Sequence, residues 1–167
     1  AYGTGYNSEF DVGSFTLHGP RTQNFECTLT TSCLVQLTGF GFGALNRAKI
    51  VEDATPCARF SSTPSGYDGA NFEVSVISHL GEYRYFDFGI LVSGDPRSST
   101  LSSGLKLCWG EDLSYSFRVG DMQISGPYTQ PSSCTLSEAC TLQLSGVGLA
   151  NSNVVRILSS ADACGSE

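Results

Sequence analysis

The sequence is short of charge, of histidine and of long apolar runs, and each shortage closes off a class of function. Only 15% of its 167 residues are charged, and the formal net charge is −7. Nucleic acid and anionic membrane surfaces are therefore poor partners. No apolar run approaches the roughly 18 residues that a membrane span needs. No signal peptide is visible, and a mature or partial chain would lack one in any case. The two histidines, His18 and His79, stand apart, and there is no Cys-x-x-Cys, so a zinc site has little to stand on. Asp53, Asp68, Asp87 and Asp95 are scattered without calcium-loop spacing. The Gly39–Gly43 run lacks the Lys-Ser/Thr and following helix of a phosphate loop and reads as a turn. No catalytic residue, cofactor or metal is expected. Asn7, Asn24, Asn46, Asn71, Asn151 and Asn153 all fail the N-glycosylation sequon.

What the chain does have is cysteine, and a repeat built around it. Cys27-Thr-Leu-Thr-Thr-Ser-Cys33, Leu34-Val-Gln-Leu-Thr-Gly39, Asn46 to Ile50 and Cys57 return as Cys134 to Cys140, Thr141 to Gly146, Asn153 to Ile157 and Cys164. Every pair is 107 positions apart (27 to 134, 57 to 164) without a gap. Gly19-Pro20 likewise returns as Gly126-Pro127. A fixed period is the mark of a tandem array. Seven cysteines at repeated spacings point to disulfides in an oxidising compartment. Four of them in one period, Cys27, Cys33, Cys57 and Cys108, allow three connectivities. Cys27–Cys33 closes a short loop and leaves Cys57–Cys108 to tie distant strands; Cys134–Cys140 follows the first pair. Cys164 then has no partner, so the sequence is expected to stop within a second unit.

Along the chain the pattern is that of strands. Phe10 to Leu17 alternates, with a break at Gly13. Leu34 to Gly39, Ala48 to Val51, Phe72 to Ile77, Tyr83 to Val92 and Leu105 to Trp109 read as further strands. Phe60–Ala70 and Ser93–Ser103 read as loops. Leu105, Leu107 and Trp109 share one face, which leaves Cys108 needing a local twist or a rim position. No helical period is visible. About seven short strands per period predict an antiparallel β-sandwich. The expected divisions are 1–13, the end of a preceding unit; 14–120, a complete unit; and 121–167, the front of an incomplete one. No linker separates them, since residues 116–125 run from the last strand of one into the first of the next, which favours a stiff rod. Leu37, Leu144, Ile50, Ile157 and Trp109 are expected to be buried.

Leu37-Thr-Gly39-Phe-Gly-Phe42, its counterpart Leu144-Ser-Gly146-Val-Gly-Leu149, and the late Gly104-Leu-Lys-Leu-Cys108-Trp109 resemble the strand, turn and late strand of the IPT/TIG immunoglobulin-like domain. The late strand departs from that family in carrying Leu105 where an aromatic is usual. The Gly-Pro, paired-Cys and Leu-Cys-Trp signature is similar to extracellular surface proteins of protists and algae, including mastigoneme-type filament proteins. The resemblance implies an all-β, Ig-like fold and a structural, non-enzymatic role outside the cell. Its partners would be further copies of the repeat, head to tail. Ser/Thr clusters beside proline suit O-linked glycans on such a rod. The candidate positions are Ser61, Ser62, Thr63, Ser65, Ser98, Ser99, Thr100, Ser102, Ser103, Thr129, Ser132 and Ser133; plain polar loops are the alternative. Two other functions compete: a binding segment of a surface adhesin or receptor ectodomain, and an accessory domain of an enzyme.

Overall fold

The computed structural model describes residues 13–96 and 104–162. Among the described residues there are strands and no α-helix. The strands are β1 (Gly19–Pro20), β2 (Phe25–Thr28), β3 (Ser32–Phe40), β4 (Asn46–Glu52), β5 (Asp68–Ala70), β6 (Glu73–Ser75), β7 (Ser78–Leu80), β8 (Tyr83–Ser93), β9 (Leu105–Glu111), β10 (Phe117–Pro127) and β11 (Gly146–Val147). One sheet has the order β1-β3-β8-β5, with β7 also on β8. The other has the order β11-β10-β9-β4-β6, with β2 also on β10. The β2–β10 pair is parallel, whereas β3–β8, β4–β9 and β9–β10 are antiparallel.

Side chains alternate across a strand, and that period chooses the core. On β3, Cys33, Val35 and Leu37 point inward and Leu34 and Gln36 outward. On β8, Phe86 and Phe88 are buried around exposed Asp87. Gly89, at φ 80°, then slips the alternation by one, so that Leu91 is buried and Ile90 exposed. These residues share one core with Ile50, Leu105, Leu107, Val119, Met122 and Ile124 of the other sheet. Full burial of each such side chain is worth about 1.5–3 kcal/mol.

β4 and β9 are buried on both faces. Val51, Cys108 and Tyr115 form a second, smaller core with Cys57 and Leu113. Cys108 therefore needs neither a twist nor a rim position. It faces away from Leu107 into apolar cover supplied by the segments that carry Cys57 and Tyr115.

Several sequence expectations need correction. Phe15 and Leu17 lie in no strand and are exposed, and Phe10 and Val12 fall outside the described residues. The expected loop 60–70 ends in β5, and the expected strand at 72–77 shortens to β6. Leu37 and Ile50 are buried and Trp109 is half-buried, but Leu144 and Ile157 are exposed. Past β10 the described residues hold a single strand, β11.

Candidate functional site at the joint between the copies

β10 pairs with strands on both sides of the point where the sequence repeat begins again. Its residues Phe117 to Met122 pair with β9, Met122 to Ser125 pair with β2, and Gly126 and Pro127 pair with β11. One 11-residue strand thus carries the pairings with β9, β2 and β11 with no break.

Beyond the joint, the local framework of the first copy recurs at the same offset of 107 positions. Gly19 pairs with Phe40 and Pro20 with Gly39; Gly126 pairs with Val147 and Pro127 with Gly146. The Arg21 amide donates to the Thr38 carbonyl at 2.7 Å, and the Tyr128 amide to the Ser145 carbonyl at 2.7 Å. Gln23 Nε2 donates to the Gln36 carbonyl at 2.6 Å, and Gln130 Nε2 to that of Gln143 at 2.5 Å. Asn46 Oδ1 accepts from the Gly43 amide and Asn153 Oδ1 from the Ala150 amide, each at 2.7 Å. Thr30 and Ser137 both stand at φ 68°. A Cβ on Gly39 would collide with the Gly19 carbonyl, and one on Gly146 with the Gly126 carbonyl. Only glycine allows this approach of strand to strand, which is why both copies carry it.

Burial does not recur. Leu37 is 0% exposed and Leu144 37%; Ile50 is 1% exposed and Ile157 79%. The cause lies in the partners. In the first copy β3 pairs with β8, and β4 with β6 and β9. No described residue stands in those places beside 139–145 or 153–159, and neither stretch forms a ladder; β11 lies between them. Leu144, Leu149, Val154 and Val155 instead line an open groove with Leu29 and Pro127.

Three disulfides join Cys27 to Cys33, Cys57 to Cys108 and Cys134 to Cys140. Such bonds suit an oxidising, extracellular or secreted setting. Cys164 lies outside the described residues, as do Ser98, Ser99, Thr100, Ser102 and Ser103. Of the other O-glycan candidates, Ser62, Thr63, Ser65, Thr129, Ser132 and Ser133 are exposed. Ser61 is half-buried and donates its hydroxyl to the Pro56 carbonyl. Trp109 packs edge-on against Phe42, with ring centroids 6.2 Å apart. Among the described residues no His, Cys, Asp and Glu group is arranged to hold a metal, and no helix is long and apolar enough to cross a membrane.

Two polar clusters brace the first unit, and sequence reading missed both. Lys49 is buried and reaches Glu73 at 3.2 Å, while the Tyr115 hydroxyl donates to Glu73 at 2.9 Å. Burial pushes the Glu73 carboxyl up, but the hydrogen bonds from Tyr115 and Lys49 outweigh it and hold the pKa below the usual value. Burial, then the Glu73 carboxylate, pushes the Tyr115 phenol up. Elsewhere Arg118 bridges Asp121 at 2.5 Å and Asp53 at 2.9 Å, and the hydrogen bond to Asp121 raises the guanidinium pKa. Lys49 between Ala48 and Ile50 was a legible signal, because a lysine inside an apolar run must find a carboxylate if it is buried. The Lys49–Glu73 pair sits inside the first unit and serves its packing, whereas Arg118 and Asp121 lie on the surface. Comparison with protein-family models, curated proteins and solved structures finds no match for the chain.

Proposed function

We propose that the chain is a length of an extracellular, non-catalytic fibre built from tandem Ig-like units of IPT/TIG type, with O-linked sugar on its exposed Ser/Thr loops. The observation that carries the reading is β10, one strand hydrogen-bonded to β9 and β2 of one copy and to β11 of the next. A joint made of continuous strand transmits bending instead of absorbing it. The exposure of the N-terminal segment agrees. Phe15 and Leu17 are 88% and 78% exposed, whereas their counterparts Met122 and Ile124 are 1% and 0% exposed, buried in the unit before the joint. A neighbouring unit of the same kind would bury Phe15 and Leu17 in the same way.

The Ig-like part of the reading rests on strand order. The order β1-β3-β8-β5 matches the A-B-E-D sheet of an immunoglobulin sandwich, and β10-β9-β4 matches its G-F-C sheet. The three disulfides fit the extracellular setting.

The test is immunogold electron microscopy of the source cells with antibody raised against this chain. Label spaced regularly along surface filaments is expected. The spacing should be on the order of 35 Å or a multiple of it, the length of an 11-residue strand at ~3.3 Å per residue. Label confined to the cytoplasm, or scattered on cell surfaces without filaments, would overturn the reading.

A further inference from the structure

We propose that the open face of the second copy, residues 139–157, is an acceptor for a β8-type strand of another unit of this repeat, laid antiparallel along residues 139–145. The inference rests on the tandem-unit reading and adds the occupant of the face, its direction and its register.

The first copy supplies the template. There β3 meets β8 with Val35 opposite Phe86, Gln36 opposite Tyr85 and Leu37 opposite Arg84. Phe86 and Phe88 are fully buried by this pairing. The second copy holds Leu142, Gln143 and Leu144 at the matching places. The framework that sets their direction is already formed, from the Gly126–Val147 pair to the Asn153 turn. Leu142 and Leu144 offer the apolar surface that Val35 and Leu37 offer to Phe86. Gln143 repeats Gln36, whose Nε2 donates to the Tyr85 hydroxyl at 3.0 Å. An extended segment whose apolar residues alternate as Phe86 and Phe88 do, with a tyrosine before the first, therefore fits by both main chain and side chain. Without it, residues 139–145 carry no ladder and Leu144, Val155 and Ile157 stay exposed, an apolar surface of the kind that proteins normally cover.

Hydrogen exchange read by mass spectrometry on the 167-residue chain tests this, with a synthetic peptide of residues 83–93 as the probe. The amides of 139–147 should exchange at least about tenfold more slowly at saturating peptide. A peptide carrying Phe86→Asp and Phe88→Asp should have no effect. The chain variant Leu142→Asp/Leu144→Asp should lose the protection while exchange in β3 and β8 stays unchanged. Three results would overturn the proposal. One is no slowing at millimolar peptide, or equal slowing by the substituted peptide. Another is slowing confined to 32–40, which would mean strand exchange into the first unit. The third is equal slowing of 139–147 by a peptide of residues 32–40, which would mean that the face does not select a β8-type strand. Each of these leaves the immunogold result untouched, so failure here and failure of the fibre reading are separable.

Discussion

Removing the disulfides one at a time should separate the folded unit from the copy beyond the joint. Cys57 and Cys108 are 51 positions apart, and Cys108 is fully buried. Loop entropy assigns that bond about 4 kcal/mol, since a closed loop of n residues removes roughly 2.1 + 1.5R ln n cal/mol/K from the unfolded state. Cys27 and Cys33 are 6 apart, and the same relation gives about 2 kcal/mol. Cys134 and Cys140 are also 6 apart, so entropy alone would rank them with the second pair. Both are exposed, however, and their loop closes on no core.

The double variant Cys57→Ala/Cys108→Ala should therefore lose about 4 kcal/mol, and its Tm should fall on the order of 20 °C. Cys27→Ala/Cys33→Ala should lose about half as much. Cys134→Ala/Cys140→Ala should leave the main transition within about 0.5 kcal/mol of the parent. Urea titration followed by the fluorescence of Trp109, the single tryptophan, reads the first unit directly. Equal losses for the 134/140 and 27/33 pairs would refute the reasoning, because the second copy would then belong to the same cooperative unit as the core.

Truncation of paired leucines makes the same division. Leu37→Ala should cost about 3–5 kcal/mol and Leu144→Ala less than about 0.5, both measured by urea midpoint. Gly39→Ala should destabilise the first unit by more than about 2 kcal/mol, because its Cβ meets the Gly19 carbonyl. Gly146→Ala should release the β10–β11 pairing, seen as faster amide exchange at Tyr128, without moving that transition. The Glu73 pKa is lowered by folding, so its contribution is complete above the ordinary carboxylate range and is lost as pH falls through the lower folded value. Glu73→Gln should remove that part of the acid limb in a pH series of urea melts. The Ser/Thr peptides 61–65 and 129–133 of the native protein should carry hexose mass, and only unmodified masses would remove the sugar from the proposal.

Much of the first unit was legible because its strands carry their burial in their alternation. Cys33, Val35 and Leu37, or Phe86 and Phe88, state which face is inward before any fold is known. The parallel β2–β10 ladder was not legible. It joins Phe25 to Met122 and Cys27 to Ile124, nearly a hundred positions apart, and β2 is too short to show a period. Tyr115 was also hidden. It follows a turn, stands at φ 28°, and is buried by a loop that covers the outer face of β9. The joint was legible as continuous strand over residues 116–125, but not the bulge within it, where the β9–β10 register shifts between Arg118 and Gly120.

The second copy shows which part of a repeat is local and which is not. Its turns form because each is closed by residues a few positions apart, such as Asn153 with Ala150 or Glu138 with Thr135. Its link to the joint forms because Gly126 and Pro127 arrive on β10, already fixed by the first unit. Its long ladders do not form: among the described residues nothing stands to it as Asp87 stands to Leu34 or Cys108 to Lys49. The same residue pattern, with the same turns and the same glycine contacts, is buried or bare according to whether its distant partners are present. Sequence identity at a fixed offset specifies the turns of a β unit, while its core belongs to the set of strands as a whole.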